Sequence, residues 1–263
     1  MNIKSVTCLF AAMVSILIVS ACQNNTRRAT RAYVERPVEV LYNSAARELD
    51  RRDYQDAIEL FNEVERQHPY SEWARRSTLM SAFAAYQSRQ YDDAISTAER
   101  YIALNPGSEH APYAYHLVAT SYFEQITDVQ RDQRTTELAR SSLDEIIRRY
   151  PESEYARDAQ VKMDMVNDQL AGKEMAIGRW YLRRNEHLPA INRFRTVVTS
   201  YDTTTHSPEA LFRLVEAYLS IGLKGEALAA AAVLGHNHPE TNWYRDAFRL
   251  MQDQGYSEDV VPG

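Results

Sequence analysis

Apolar positions along most of this chain recur three and four residues apart, the spacing that gathers side chains on one face of an α-helix. In "YQDAIELF", from Tyr54, residues Ala57, Ile58 and Phe61 fall on one face, with Gln55, Asp56 and Glu59 between them. The pattern is written again: "YDDAISTA" from Tyr91 keeps Tyr-x-x-Ala-Ile, "HLPAINRF" from His187 keeps Ala-Ile and the phenylalanine, and "KGEALAAA" from Lys224 keeps Ala-Leu. A weaker copy, "TELARSSL" from Thr136, keeps Ala139 and Leu143. Alanine at the same point of each copy predicts a close crossing of two helices, where a larger side chain would hold them apart. Large apolar residues four positions on (Phe61, Leu143, Phe194) fill the adjoining space. No β-branched alternating run of useful length occurs, so the pattern predicts an all-α chain.

Polar punctuation repeats with it. "HPYSEWA" from His68, "NPGSEHA" from Asn105 and "YPESEYA" from Tyr150 each place a proline two residues before a serine and a glutamate after it. Proline lacks the N–H a continuing helix needs, so it ends one helix. Ser71, Ser108 and Ser153 are then expected to N-cap the next, with Glu72, Glu109 and Glu154 in its first turn, where the helix dipole favours negative charge. Pro69, Pro106 and Pro151 lie 37 and 45 residues apart, a spacing that resembles the tetratricopeptide repeat with inserts. Five helix hairpins are expected at about 38–70, 71–107, 108–152, 153–204 and 205–238, with a capping helix near 242–254. Together they would form a right-handed solenoid over 38–254, its core spread along the stack, followed by a tail at 255–263.

The N-terminus changes the picture. "MNIKSVTCLFAAMVSILIVSAC" has one early cation, Lys4, and an apolar run from Val6 to Val19, short for a membrane span and suited to a secretory signal over 1–21. Val19-Ser20-Ala21-Cys22 resembles the bacterial lipobox, which makes Cys22 the lipid attachment residue. Cys8 leaves with the signal, so the mature chain keeps no cysteine for a disulfide or a metal. Gln23 stands where an inner-membrane lipoprotein often carries aspartate, which favours the outer membrane. Residues 22–37, with Arg27, Arg28 and Arg31 and no apolar periodicity, read as a lipidated tether.

Charge and motifs narrow the function. A net charge of −6 without a basic stripe in the repeats argues against nucleic acid. Gly-x-Ser-x-Gly, His-Glu-x-x-His and phosphate-binding glycine loops are absent, so neither an enzyme nor a cofactor is expected. His236-x-His238 with Glu240 lacks the further ligand zinc requires, and reads as a polar turn, so no metal is expected. Carboxylates such as Glu124 and Asp128 share a helix face as charges on any solvated helix do. Function is therefore sought in surfaces, above all a concave groove lined mainly by the first helix (A) of each hairpin. Tyr70, Trp73, Tyr86, Tyr113 and Tyr115 cluster in the first three repeats, and Tyr70 and Trp73 are the groove candidates for extended peptide.

Two stretches are more specific than the repeat. "DVQRDQRTTELARSSLDEIIRRYPESEYARDA" (Asp128 to Ala159) and "GKEMAIGRWYLRRNEHLPAINRFRTVVTSY" (Gly172 to Tyr201), together with the lipobox, resemble the third and fourth repeats of the BamD family, lipoproteins of the machinery that assembles outer-membrane β-barrels. The insert here is shorter and lacks the Gly-Phe-Phe of some members; the first repeat ends in His68-Pro69 rather than Tyr-Pro; "GHNHPETNWYRDAFRL" looks like a variant end-cap. The resemblance implies an outer-membrane location facing the periplasm, lipid-anchored in the inner leaflet. It implies as partners the POTRA domain of BamA, other Bam lipoproteins and unfolded outer-membrane protein precursors. Asn192-Arg193 matches the family's Asn-Arg, which implies that Arg193 meets an acidic POTRA residue, with its loss expected to leave folding nearly unchanged. The alternative is a periplasmic repeat protein coordinating peptidoglycan synthesis with envelope constriction, which would carry a soluble signal and a coiled coil and would co-purify with Tol–Pal.

Overall fold

The computed structural model describes residues 35–126 and 133–255. Among them are eleven helices and no strand: α1 (Val38–Asp50), α2 (Tyr54–Gln67), α3 (Glu72–Gln87), α4 (Tyr91–Leu104), α5 (Ala111–Glu124), α6 (Gln133–Arg149), α7 (Glu154–Arg183), α8 (His187–Ser200), α9 (Ser207–Ser220), α10 (Lys224–Asn237) and α11 (Asn242–Asp253). Consecutive helices pack on each other, giving five hairpins, α1–α2 to α9–α10, and a closing helix. The chain is a tetratricopeptide-like solenoid.

The repeated alanines are the hairpin crossings. Ala57, Ala94, Ala139, Ala190 and Ala227 are all fully buried, and so are Phe61, Ala98, Phe194 and Ala231 four residues on. The fourth crossing is close: a Cβ on Gly178 would stand 2.5 Å from the Phe194 ring, so only glycine lets α7 approach α8 there.

Two turn types alternate along the stack. In four hairpins the A helix ends on a left-handed residue: Arg52 (φ 65°), Arg89 (61°), Asn185 (57°) and Gly222 (77°). The next N–H reaches back over the last turn, from Asp53, Gln90, Glu186 and Leu223 to the carbonyls of Glu48, Ala85, Tyr181 and Tyr218, satisfying groups the helix end would leave open. In the third hairpin the corresponding Ile126 N–H donates to the Phe123 carbonyl, and the residue that follows lies outside the described residues.

Between hairpins the second turn recurs five times, with the N–H of Ser71, Ser108, Ser153, Thr204 and Thr241 donating to the carbonyl three residues earlier. Ser71 and Ser153 cap α3 and α7, accepting from the N–H of Ala74 and Ala156 at 3.0 and 3.1 Å. The expected cap at Ser108 is corrected. Its hydroxyl meets the Tyr101 hydroxyl at 2.8 Å and accepts from His110 N–H, while α5 starts at Ala111 with Pro112 in its first turn. Proline is suited to the first turn of a helix, so α5 starts three residues after the serine, and Glu109 lies ahead of the helix. "GHNHPETNWY", expected as a variant end-cap, is a further copy of the same turn. Thr241 caps α11 by accepting from Tyr244 N–H at 3.3 Å, and the His238 carbonyl accepts from Thr241.

At 30 residues α7 is about twice the length of its neighbours, and the core divides along it. Its first half, to Leu170, packs with Leu143 and Ile146 of α6; from Ala171 onward it packs with Ala190, Ile191 and Phe194 of α8.

Candidate partner surfaces

The A helices α3, α5 and α7 bring aromatic side chains together on the face expected to form the groove. Tyr113 and His116 of α5 stack at 6.3 Å, and Tyr155 of α7 sits 5.7 Å from Tyr113 and 5.1 Å from His116. Tyr86 of α3 stands 5.9 Å from Tyr91. Below them Lys162 holds both oxygens of Asp158 at 2.6 Å, and Asp158 faces His116 Nδ1 at 3.6 Å.

Burial controls the protonation of this cluster. It pushes the Tyr113 phenol up to about 12, with Tyr155 and Tyr86 adding to the effect. It pulls His116 below the ordinary histidine value; Asp158 opposes this and Lys162 reinforces it. The rings are therefore neutral, and His116 Nδ1 is buried without a hydrogen-bond partner among the described residues. Neutral ring faces, phenol hydroxyls and one unpaired imidazole nitrogen suit apolar and aromatic side chains of an extended segment.

Of the five aromatics singled out in the sequence, Tyr86 and Tyr113 belong to this cluster. Tyr70 stands 97% exposed in the turn between α2 and α3, where Pro69 ends the B helix, and is not on an A helix. Trp73, in the first turn of α3, packs on Tyr42 at 4.8 Å with Arg76 over its other side, away from the cluster. Tyr115 packs within the third repeat, on Tyr150 at 5.6 Å and under Arg149. Sequence reasoning missed His116 and Tyr155. A signal for the second was present, since Tyr155 follows its capping serine by two residues, as Trp73 does.

A second surface lies on the fourth hairpin. Asn192 is exposed on α8. Arg193 reaches back to α7, where its Nη1 contacts Glu174 at 3.1 and 3.4 Å. The side chain of Glu174 is only 11% exposed, that of Arg193 43%. Arg193 was expected to meet an acidic residue of a partner; within its own chain it is held on one nitrogen by a buried carboxylate, and the expectation that its loss leaves folding unchanged is revised accordingly. The two surfaces share α7. Alongside, Arg179 of α7 binds Glu209 of α9 at 2.9 Å, and Arg213 bridges Glu209 and Glu216 between the Phe212 and Trp243 rings. Burial opposes the Arg213 charge, but the bonds to Glu216 and Glu209 outweigh it and raise its pKa.

Among the described residues no group of three His, Cys, Asp or Glu is placed to hold a metal, and no helix is long and apolar enough to cross a membrane. Cys22 lies outside the described residues.

Hairpins stacked behind an aromatic-lined face define a helical-repeat protein. The family model described as YfiO, outer membrane lipoprotein, matches residues 34–234, and the chain belongs to this family. A relative from Caulobacter vibrioides is 54% identical over 252 residues, covering 96% of this chain and 83% of its own. Relatives from Rickettsia prowazekii (40%; 93% and 96% covered) and Neisseria meningitidis (30%; 89% and 92% covered) follow the same pattern. All three carry the name outer membrane protein assembly factor BamD, which describes an assembly role rather than a catalytic one. A tetratricopeptide protein from Thermus thermophilus aligns over 86% of this chain and 100% of its own, at 18% identity and a TM-score of 0.39.

Proposed function

We propose that this protein is a lipid-anchored scaffold of the β-barrel assembly machinery, held in the periplasmic leaflet of the outer membrane through Cys22. In this reading the α8 flank docks on the POTRA region of BamA, and the A-helix face receives unfolded outer-membrane protein precursors. The observation that carries the docking is the Arg193–Glu174 pair. Glu174 occupies one guanidinium nitrogen, and Nε and Nη2 keep the planar edge that grips a carboxylate with two parallel bonds. Breaking such a contact in an interface costs about 2–5 kcal/mol of affinity.

Binding of purified POTRA domains at moderate salt tests it. Arg193→Lys, which keeps the charge but not the fork, should weaken binding by roughly tenfold, about 1.4 kcal/mol. Wild-type affinity in that variant would rule out the bidentate contact. For the groove, Tyr86→Ala with Tyr113→Ala should lower affinity for barrel-derived C-terminal peptides; unchanged affinity in the folded protein would assign both rings to packing. Cys22→Ser should release the chain from membranes.

A further inference from the structure

The five inter-repeat turns lie along one edge of the stack, and the described chain begins at the same edge. Arg36 N–H donates to Gln67 Oε1 at 3.0 Å, and His68 Nε2 meets the Arg36 carbonyl at 2.9 Å. These bonds seat the segment entering α1 on the first of the turns. The residue before the recurring serine or threonine of each turn is Tyr70, Gly107, Glu152, Thr203 and Glu240 in turn, and the last residue of each B helix is Gln67, Leu104, Arg149, Ser200 and Asn237. Within residues 38–107 the large apolar side chains left exposed are Val40 (52%), Tyr70 (97%) and Leu104 (69%). All three stand on this edge, Val40 in the first turn of α1. Arg75 and Arg76 are exposed beside them at the start of α3. From the third repeat onward the same positions are charged or polar.

We propose that the edge of repeats 1 and 2 rests on the phospholipid bilayer, with Tyr70, Leu104 and Val40 entering the headgroup region and Arg75 and Arg76 facing lipid phosphates. The proposal depends on Cys22 being the lipid-bearing residue. Cys22 and Arg36 are 14 residues apart, so at about 3.3–3.6 Å per residue the anchor holds this edge within roughly 50 Å of the membrane. The tether's own Arg27, Arg28 and Arg31 follow the same preference for an anionic surface. Tyrosine, apolar in its body and polar at its tip, is the side chain favoured at that depth. Contact of an already anchored domain is intramolecular, so a small apolar patch suffices where it could not hold a free protein.

The test uses the full lipidated chain in vesicles of phosphatidylethanolamine and phosphatidylglycerol. An environment-sensitive fluorophore is placed in turn at Tyr70→Cys, Leu104→Cys, Glu152→Cys and Glu240→Cys, with a headgroup-level nitroxide lipid as quencher. Quenching at 70 and 104 is expected to exceed that at 152 and 240 several-fold. A probe at Val40→Cys should lose most of its quenching when Tyr70→Glu and Leu104→Glu are added. Equal quenching at all positions overturns the proposal. So does protection at 70 and 104 that follows addition of purified BamA rather than lipid, because a protein then covers the patch. Vesicle flotation separates the two readings. A wild-type chain that fails to float sinks the anchor and the edge together, whereas one that floats with water-exposed probes at 70 and 104 sinks only the edge.

Discussion

Replacing Arg193 with alanine removes the cation bound to Glu174, a carboxylate that is only 11% exposed. Exposed ion pairs are worth about 0–1 kcal/mol, and breaking a fully buried pair costs about 3–5 kcal/mol because a charge is left unpaired. Here the acid is 11% exposed and the base 43%, so the cost falls between these limits. We expect about 2 kcal/mol. In a domain of this size each kcal/mol moves the midpoint by about 2–4 °C, so Arg193→Ala should melt roughly 4–8 °C lower by circular dichroism. Adding Glu174→Gln should recover most of that loss, since a neutral amide tolerates the site better than a lone carboxylate. POTRA affinity should stay low in both variants, because neither carries the guanidinium. Stability and docking thus separate within one pair of measurements. A single variant that melts like wild type, or a double variant that melts as low as the single, would refute the role given to Glu174.

At the α7–α8 crossing, Gly178→Ala drives a Cβ into the Phe194 ring and should cost about 1–3 kcal/mol, read as a lower denaturation midpoint. Gly222→Ala meets no neighbouring atom, so any loss there reports the left-handed backbone alone; Asn185→Gly should act oppositely, gaining a few tenths to about 1 kcal/mol. His116 has a folded pKa below the ordinary 6.5, so the folded state binds fewer protons and its contribution is lost as pH falls through that value. Urea midpoints should therefore drop on acidification below about 6.5, and His116→Gln should flatten that part of the profile.

Periodicity made the hairpins legible, because each alanine crossing had to be small and each helix end had to be stopped. Ala57, Ala94, Ala139, Ala190 and Ala227 needed no tertiary information to be placed in the core. Glu174 was hidden, since a buried acid leaves no periodic trace and its partner lies 19 residues further on, across a hairpin. Ser108 failed as a cap because α5 starts only at Ala111, with Pro112 in its first turn, a local difference the repeated serine masked. Tyr70 was chosen on residue type; its exposure depends on where the proline turn leaves it.

The unbroken length of α7 also has a mechanical meaning. At 1.5 Å per residue it is a rod of about 45 Å. Tyr155 and Asp158, beneath the aromatic cluster, sit near one end, and Glu174, which grips Arg193, lies toward the other. Elsewhere in the stack, neighbouring hairpins meet through side chains. Along α7 the segment that packs on the third hairpin and the segment that packs on the fourth are one continuous helix, so a single rod joins the Tyr155 end to the Glu174 end. The helix works as a lever without a joint.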